Sequence, residues 1–315
     1  MKKFNALKSM LPGVLALSML FAGCQSNNST KESAKGSTEI THKLGVTKVP
    51  EKPERIVVLD IGALETLHKL GVKPTGVPKK FMPGYLSAVK NDPAVADVGS
   101  VIEPDFEAIS ALNPELILIS TRQERFYQEL SEIAPTIFIG TDNKDYIPSF
   151  VRNTQLLAKI VGKEELAQQK IDSVQSQIAA AQEKFKADPR KALFLIYNNG
   201  RFSAFGKGSR FGFIHDVLQI KPVMDLKDES VHGQRVSNEL IADANPDMLF
   251  IVDRNAAVVG KKADRTEIEN TLIKQTNAYK AGNIFYLDPD VWFISGGGLI
   301  SVNLMINDIV QLLNK

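Results

Sequence analysis

A single cysteine, a single tryptophan and four histidines are spread over 315 residues. Each scarcity closes off a class of chemistry. One thiol cannot form an intrachain disulfide, so the folded part must rest on its core. Histidines at 42, 68, 215 and 232 are too scattered to supply the three or four clustered ligands of a bare transition-metal site. Charge of one sign is missing too: 38 basic against 36 acidic side chains leave a net +2, which gives no reason to expect nucleic acid. The apolar run at residues 10–22 is interrupted by Pro12 and Gly13 and is too short to span a bilayer comfortably. No nucleotide fingerprint occurs either: GKGSR (206–210) lacks Walker A spacing, and Ser209 has no convincing base. The chain is not expected to be an enzyme.

What is present begins with that short run. Lys2, Lys3 and Lys8 flank it, and it ends at Phe21-Ala22-Gly23-Cys24. A basic start, an apolar stretch and small residues before the cut read as a signal peptide over 1–23. The cysteine context resembles a bacterial lipobox, with Phe21 where leucine is usual. The resemblance implies a lipidated Cys24, held at the membrane by two acyl chains. The polar stretch QSNNSTKESAKGSTE then predicts a flexible tether over 24–40.

With 43% hydrophobic residues, the remainder can build sizeable cores. ERIVVLD, GALETLHKLG and the segments that follow alternate strand and helix, and the alternation resumes near Asp188 with KALFLIYNNG. Between them, about forty residues with apolar Leu166, Ile171, Val174 and Ile178 at helical spacing predict one or two long helices. The expected architecture is α/β: two Rossmann-like lobes with central sheets, at 41–147, where the alternation argues a mostly parallel sheet, and at 189–315, joined by a helical linker at 148–188.

One module occurs in both lobes. NPELILISTR (113–122) and NPDMLFIVDR (245–254) each have a glutamate seven residues before the proline, Glu107 and Glu239, and an arginine eight residues after it, Arg122 and Arg254. A helix ending before Asn-Pro and a strand ending at an arginine would deliver both guanidiniums to the carboxyl edge of a sheet, where open α/β sheets bind ligands. GRFSAFGKGSRFGFIHDVL (200–218) reads as a glycine-rich loop that presents Arg201 and Arg210 beside Phe202, Phe205, Phe211 and Phe213. Planar guanidiniums stack on aromatic faces and fork their donors toward oxygen anions, so this pairing suits a flat, oxygen-rich anion. His232, beside Gly233 in a polar loop, is the candidate among the histidines. His42, His68 and His215 read as structural or solvated. DPDVWFISGGG (288–298) offers Trp292 as core or ligand wall, Phe293 facing the other way, and a triple glycine better suited to close packing than to anion binding.

Taken together, the lipobox, tether, two lobes, helical linker, GRFSAFGKGSRFG, VHG, NPDMLFIVDRN and DPDVWFISGGG resemble the catecholate-siderophore receptors of Gram-positive bacteria. These are lipoproteins of iron ABC importers with the class III periplasmic-binding-protein fold. The resemblance implies a ferric catecholate siderophore in the cleft, held by Arg122, Arg210 and Arg254, with Arg201 in reserve and no intrinsic cofactor. It also implies docking of Glu107 and Glu239 to the permease, and a monomer anchored on the outer face of the cell membrane. In some members a histidine and a tyrosine ligate iron directly. The histidine matches His232; the tyrosine position holds Phe293, which cannot ligate. A hexadentate, petrobactin-like ligand is therefore favoured, with a bis-catecholate on His232 left open. Haem and cobalamin are the alternative ligands of related folds.

Overall fold

The computed structural model describes residues 36–226 and 233–314. The signal peptide, Cys24, the tether before residue 36 and His232 lie outside the described residues. None of the described helices is long and apolar enough to cross a membrane. The described chain begins with an antiparallel hairpin, β1 (Ser37–His42) with β2 (Gly45–Pro50). The tether expected through residue 40 thus gives way to strand at Ser37. STEITH is polar in composition, but Ile40 turns inward beside Val49, and one buried face is enough to pin a register.

The first lobe is a wholly parallel sheet of β3 (Ile56–Val58), β4 (Gly76–Val77), β5 (Ala96–Asp97), β6 (Leu116–Ile119) and β7 (Thr136–Phe138), in the order β5-β4-β3-β6-β7. All four residues of β6 are apolar and buried, as a strand covered on both faces requires. The helix Ile61–Lys69 packs on one face, and Ile109 and Leu130 from two shorter helices pack on the other. The strand order reverses between β3 and β6, and such a switch point opens a crevice at the carboxyl ends. Asp60 follows β3 there and Arg122 follows β6.

The second lobe contains β8 (Lys191–Asn198), β9 (Arg201–Phe205), β10 (Lys221–Pro222), β11 (Gln234–Val236), β12 (Met248–Asp253) and β13 (Ile284–Leu287). Their order is β11-β9-β8-β12-β13, with β10 alongside β8. Here the reading of 200–218 as a loop needs correction. Its first part is β9, antiparallel to β8 across a tight turn at Asn199-Gly200, and β11 extends the same antiparallel edge. Both turn residues have positive φ, 48° and 76°, which Asn-Gly supplies at little strain and which matches strand twist. The second sheet therefore keeps a parallel centre, with β8 paired to β10 and β12 and β12 to β13, and carries β9 and β11 antiparallel on one edge.

Two helices lie between the sheets in sequence, Tyr146–Val161 and Glu164–Lys186, separated at Gly162 in the left-handed region (φ 67°). The second has 23 residues, about 35 Å at helical rise. Its Val174, Ile178, Ala181 and Phe185 enter the second lobe's core with Phe194 and Trp292. Burying each large side chain of this kind contributes about 1.5–3 kcal/mol.

The duplicated module is the same structure twice. Asn113 and Asn245 both adopt the left-handed conformation, φ 45° and 46°, closing the helices Phe106–Ala111 and Asn238–Ala244 ahead of each proline. The strands that follow, β6 and β12, release Arg122 and Arg254 at their carboxyl ends.

Candidate functional site

Three arginines from separate segments meet at Phe293. Arg122, in the 3-10 turn Thr121–Phe126, donates to the carbonyls of Phe293 (2.7 Å) and Ile294 (2.8 Å) across the lobes. Arg210, in the turn after β9, donates to the same Phe293 carbonyl at 2.9 Å. Its guanidinium stands 4.9 Å from the Phe293 ring centroid and 4.8 Å from that of Phe211. Arg254, the first residue of the helix Arg254–Val259, lies 5.8 Å from the other contact, the Phe293 ring. Phe211 and Phe293 stack at 6.2 Å and 17°.

None of the three arginines makes an ion pair with a carboxylate among the described residues. Asp253, beside Arg254, is already used: it caps the following helix and accepts from Ala263 N at 2.6 Å. Desolvation lowers the Arg122 pKa, partly countered by Asp60. Desolvation, with the charges of Arg122 and Arg254, brings Arg210 down to about 9. Uncompensated cations in a partly dry site favour an anion that would neutralise them. The adjoining cavity is about 260 Å³, with Asp60, Arg122, Thr141, Tyr146, Arg210 and Trp292 in its walls. A larger depression, about 430 Å³ under the β1–β2 hairpin, mixes Glu39, Glu51, Lys52 and Lys159 and has no convergent set of like charges.

The other sequence candidates fall elsewhere. Arg201 is exposed at the start of β9 and lines a different surface depression with Arg235 and Glu239, so the structure does not bring it to the cluster. The reason is the hairpin: eight residues of strand and turn lie between Arg201 and Arg210, which puts them at opposite ends of β9 and its following turn. Trp292 is 2% exposed, rests against Phe194 and Phe213, and donates its indole N–H to Asp308 at 3.2 Å. It belongs to the core and shows one edge to the cavity. The π-helical turn Asp290–Ile294 sends Phe293 to the arginines instead. Glu107 and Glu239 are exposed in the first turns of their helices, which Asp105 and Ser237 cap. His215 is buried, with Nδ1 2.8 Å from the Ile220 carbonyl, and burial pushes its pKa down to about 4.

Two residues at the site escaped the sequence reading. Tyr146, at the start of the first linker helix, donates its hydroxyl to the Gly296 carbonyl. Glu65 lies fully buried on the helix Ile61–Lys69. It falls four residues after Ile61 in an otherwise apolar face, and that interruption was the available signal. The triple glycine packs against Glu65 and Gly62, as its small size suggested. A Cβ on Gly298 would stand 2.5 Å from Glu65 Oε2 and 2.7 Å from Glu65 Cβ.

Known proteins resemble this chain over its whole length. It is 40% identical to the petrobactin-binding protein YclQ of Bacillus subtilis, covering 100% of both chains. The crystal structure of YclQ superimposes with a TM-score of 0.86 over 89% of this chain and 100% of that one. The ferric-anguibactin-binding protein FatB of Vibrio anguillarum is 36% identical over 86% of each chain. The periplasmic catecholate-siderophore binding protein VctP of Vibrio cholerae is 33% identical, with a TM-score of 0.82 over 88% of this chain and 100% of that one. These structures share the class III fold of two lobes with central sheets. The periplasmic binding protein profile matches residues 56–291, about three quarters of the sequence, and the chain belongs to the periplasmic binding protein family.

Proposed function

We propose that this chain captures a ferric catecholate siderophore between its lobes and hands it to an ABC permease. A single observation carries the reading: Arg122, Arg210 and Arg254 converge on Phe293, and no carboxylate among the described residues pairs with any of them. A ferric tris-catecholate carries about three negative charges, and a buried charge needs both compensation and hydrogen bonds. Three guanidiniums from two lobes supply both. The aromatic faces of Phe211 and Phe293 suit the flat rings of such a ligand. Phe293 offers no atom to iron, which favours a siderophore that fills all six positions itself, as a petrobactin-like ligand does.

In this reading the chain binds without catalysis, needs no resident cofactor and works as a monomer. Cys24 carries the lipid anchor, on the outer face of a Gram-positive cell membrane. Glu107 and Glu239, one per lobe and at the same helical position, dock to the permease. Visible titration with ferric petrobactin tests the ligand. A retained charge-transfer band with saturable quenching of Trp292 fluorescence is the expected result. Saturable binding of haem with a Soret peak, and none of the ferric catecholate, would refute it.

A further inference from the structure

Glu65 is the only acid among the described residues with no exposed surface. Its carboxylate receives four hydrogen bonds. Tyr85 Oη (2.6 Å) and Ser295 Oγ (2.5 Å) donate to Oε1, while the Ser301 backbone N–H and hydroxyl both donate to Oε2 at 2.7 Å. Tyr85 belongs to the first lobe and the two serines to the second. No lysine or arginine pairs with it among the described residues. Burying a carboxylate without a cation is costly, and here hydrogen bonds alone offset that cost.

The serines bound to Glu65 lie on the segment that organises the arginines. Ser295 directly follows Ile294, whose carbonyl, with that of Phe293, receives the donors of Arg122 and Arg210. Farther along, Tyr146 holds the Gly296 carbonyl, and Gly298 packs on Gly62. The 293–301 segment is thus gripped by arginines at one end and by Glu65 at the other.

We infer that Glu65 is a positioning residue for the anion site: through Ser295 and Ser301 it sets the Phe293 and Ile294 carbonyls, and so the direction of the Arg122 and Arg210 guanidiniums. The inference rests on the siderophore reading above. The Ser301 N–H can only donate, so position 65 must present an acceptor there; an amide can do so only with its NH2 turned to Tyr85 and Ser295, whose hydroxyls must then reverse from donating to accepting. Burial raises the carboxyl pKa, and the four donors counter part of that rise.

The test titrates ferric petrobactin into the wild type, Glu65→Gln, Arg122→Lys and the double variant, each checked for folding by circular dichroism. Glu65→Gln is expected to raise Kd about ten- to a hundredfold. Arg122→Lys should then cost less in the Glu65→Gln background than in the wild type, because the guanidinium has already lost its register. A protein with a merely weakened scaffold would show additive losses, and additivity overturns the inference. Wild-type affinity in Glu65→Gln overturns it as well. Failure of the wild type to bind sinks the ligand reading and this inference with it. Should Glu65→Gln not fold, Ser295→Ala, which leaves the carboxylate in place, must show the same coupling at a severalfold rise in Kd.

Discussion

Arg122 and Phe293 are joined across the two lobes by a 2.7 Å hydrogen bond from guanidinium to main-chain carbonyl. The bond commits to the protein itself a donor that the proposed function turns toward an anion. An incoming anion must compete with the Phe293 and Ile294 carbonyls for Arg122, and with Phe293 for Arg210. The two carbonyls thereby offset part of the repulsion among the guanidiniums, and a stronger, charged acceptor would outcompete them.

The arginines should be individually costly to remove. Arg210→Ala, which deletes the member nearest to both aromatic rings, is expected to weaken ferric-siderophore binding by about 2–5 kcal/mol, the usual penalty for truncating one side of a buried charge pair. Its pKa near 9 adds a pH signature. Bound anion favours the protonated form, so affinity should be flat near neutrality and fall as pH rises through about 9. Titrations between pH 7 and 10 read this directly, and Arg210→Lys should change the profile.

Phe293→Ala removes the ring shared by Arg210 and Arg254 but keeps the carbonyl that both Arg122 and Arg210 use. The expected loss exceeds a cation–π contribution alone, about 0.5–2 kcal/mol, because in the proposed function the ring also faces the ligand. A loss confined to that range would mean the ring serves the arginines without touching the ligand.

Glu107→Ala combined with Glu239→Ala should abolish siderophore-dependent iron uptake in cells and leave Kd unchanged. Both side chains are exposed, and the helix caps at Asp105 and Ser237 remain. Loss of ligand binding in the purified double variant would show a structural role instead.

Gly298→Ala should destabilise the contact between lobes. Its Cβ would press first on the Gly62 carbonyl oxygen, which is main chain and cannot swing aside, and next on the Glu65 side chain. Overpacking of this kind costs about 1–3 kcal/mol, to be read as a lowered denaturation midpoint. Glycine is required there for space, since its φ does not lie in the left-handed region.

His215 predicts an acid-sensitive fold. Its folded pKa of about 4 lies below the ordinary 6.5, so the unfolded chain binds the proton more readily between those values. Stability from this group is full above pH 6.5 and is lost as pH falls toward 4, by up to about 3 kcal/mol. His215→Gln should flatten that part of the curve in urea unfolding at pH 4 to 7.

Much of this was legible from residue order. Parallel, two-side-buried strands such as LILI carry continuous apolar runs, and the long linker shows its period, so lobes and linker could be read directly. The duplicated Asn-Pro modules named Arg122 and Arg254, because local backbone chemistry alone ends the helix and starts the strand. The glycines and arginines of 200–218 point to a loop and outweigh the alternation of Phe202 and Ala204, although Asn199-Gly200 marks the turn into β9.

Composition and local order were enough to specify the elements, their sequence and the arginines at the strand ends, because those depend on neighbours within a few residues. Which of Arg201 and Arg210 joins the cluster, that Trp292 is core while Phe293 is shared by three cations, and that Glu65 is clasped by serines 230 and 236 residues away followed only from folding. Those outcomes are contacts between distant segments, and the direction of one strand or one helical turn settles each of them.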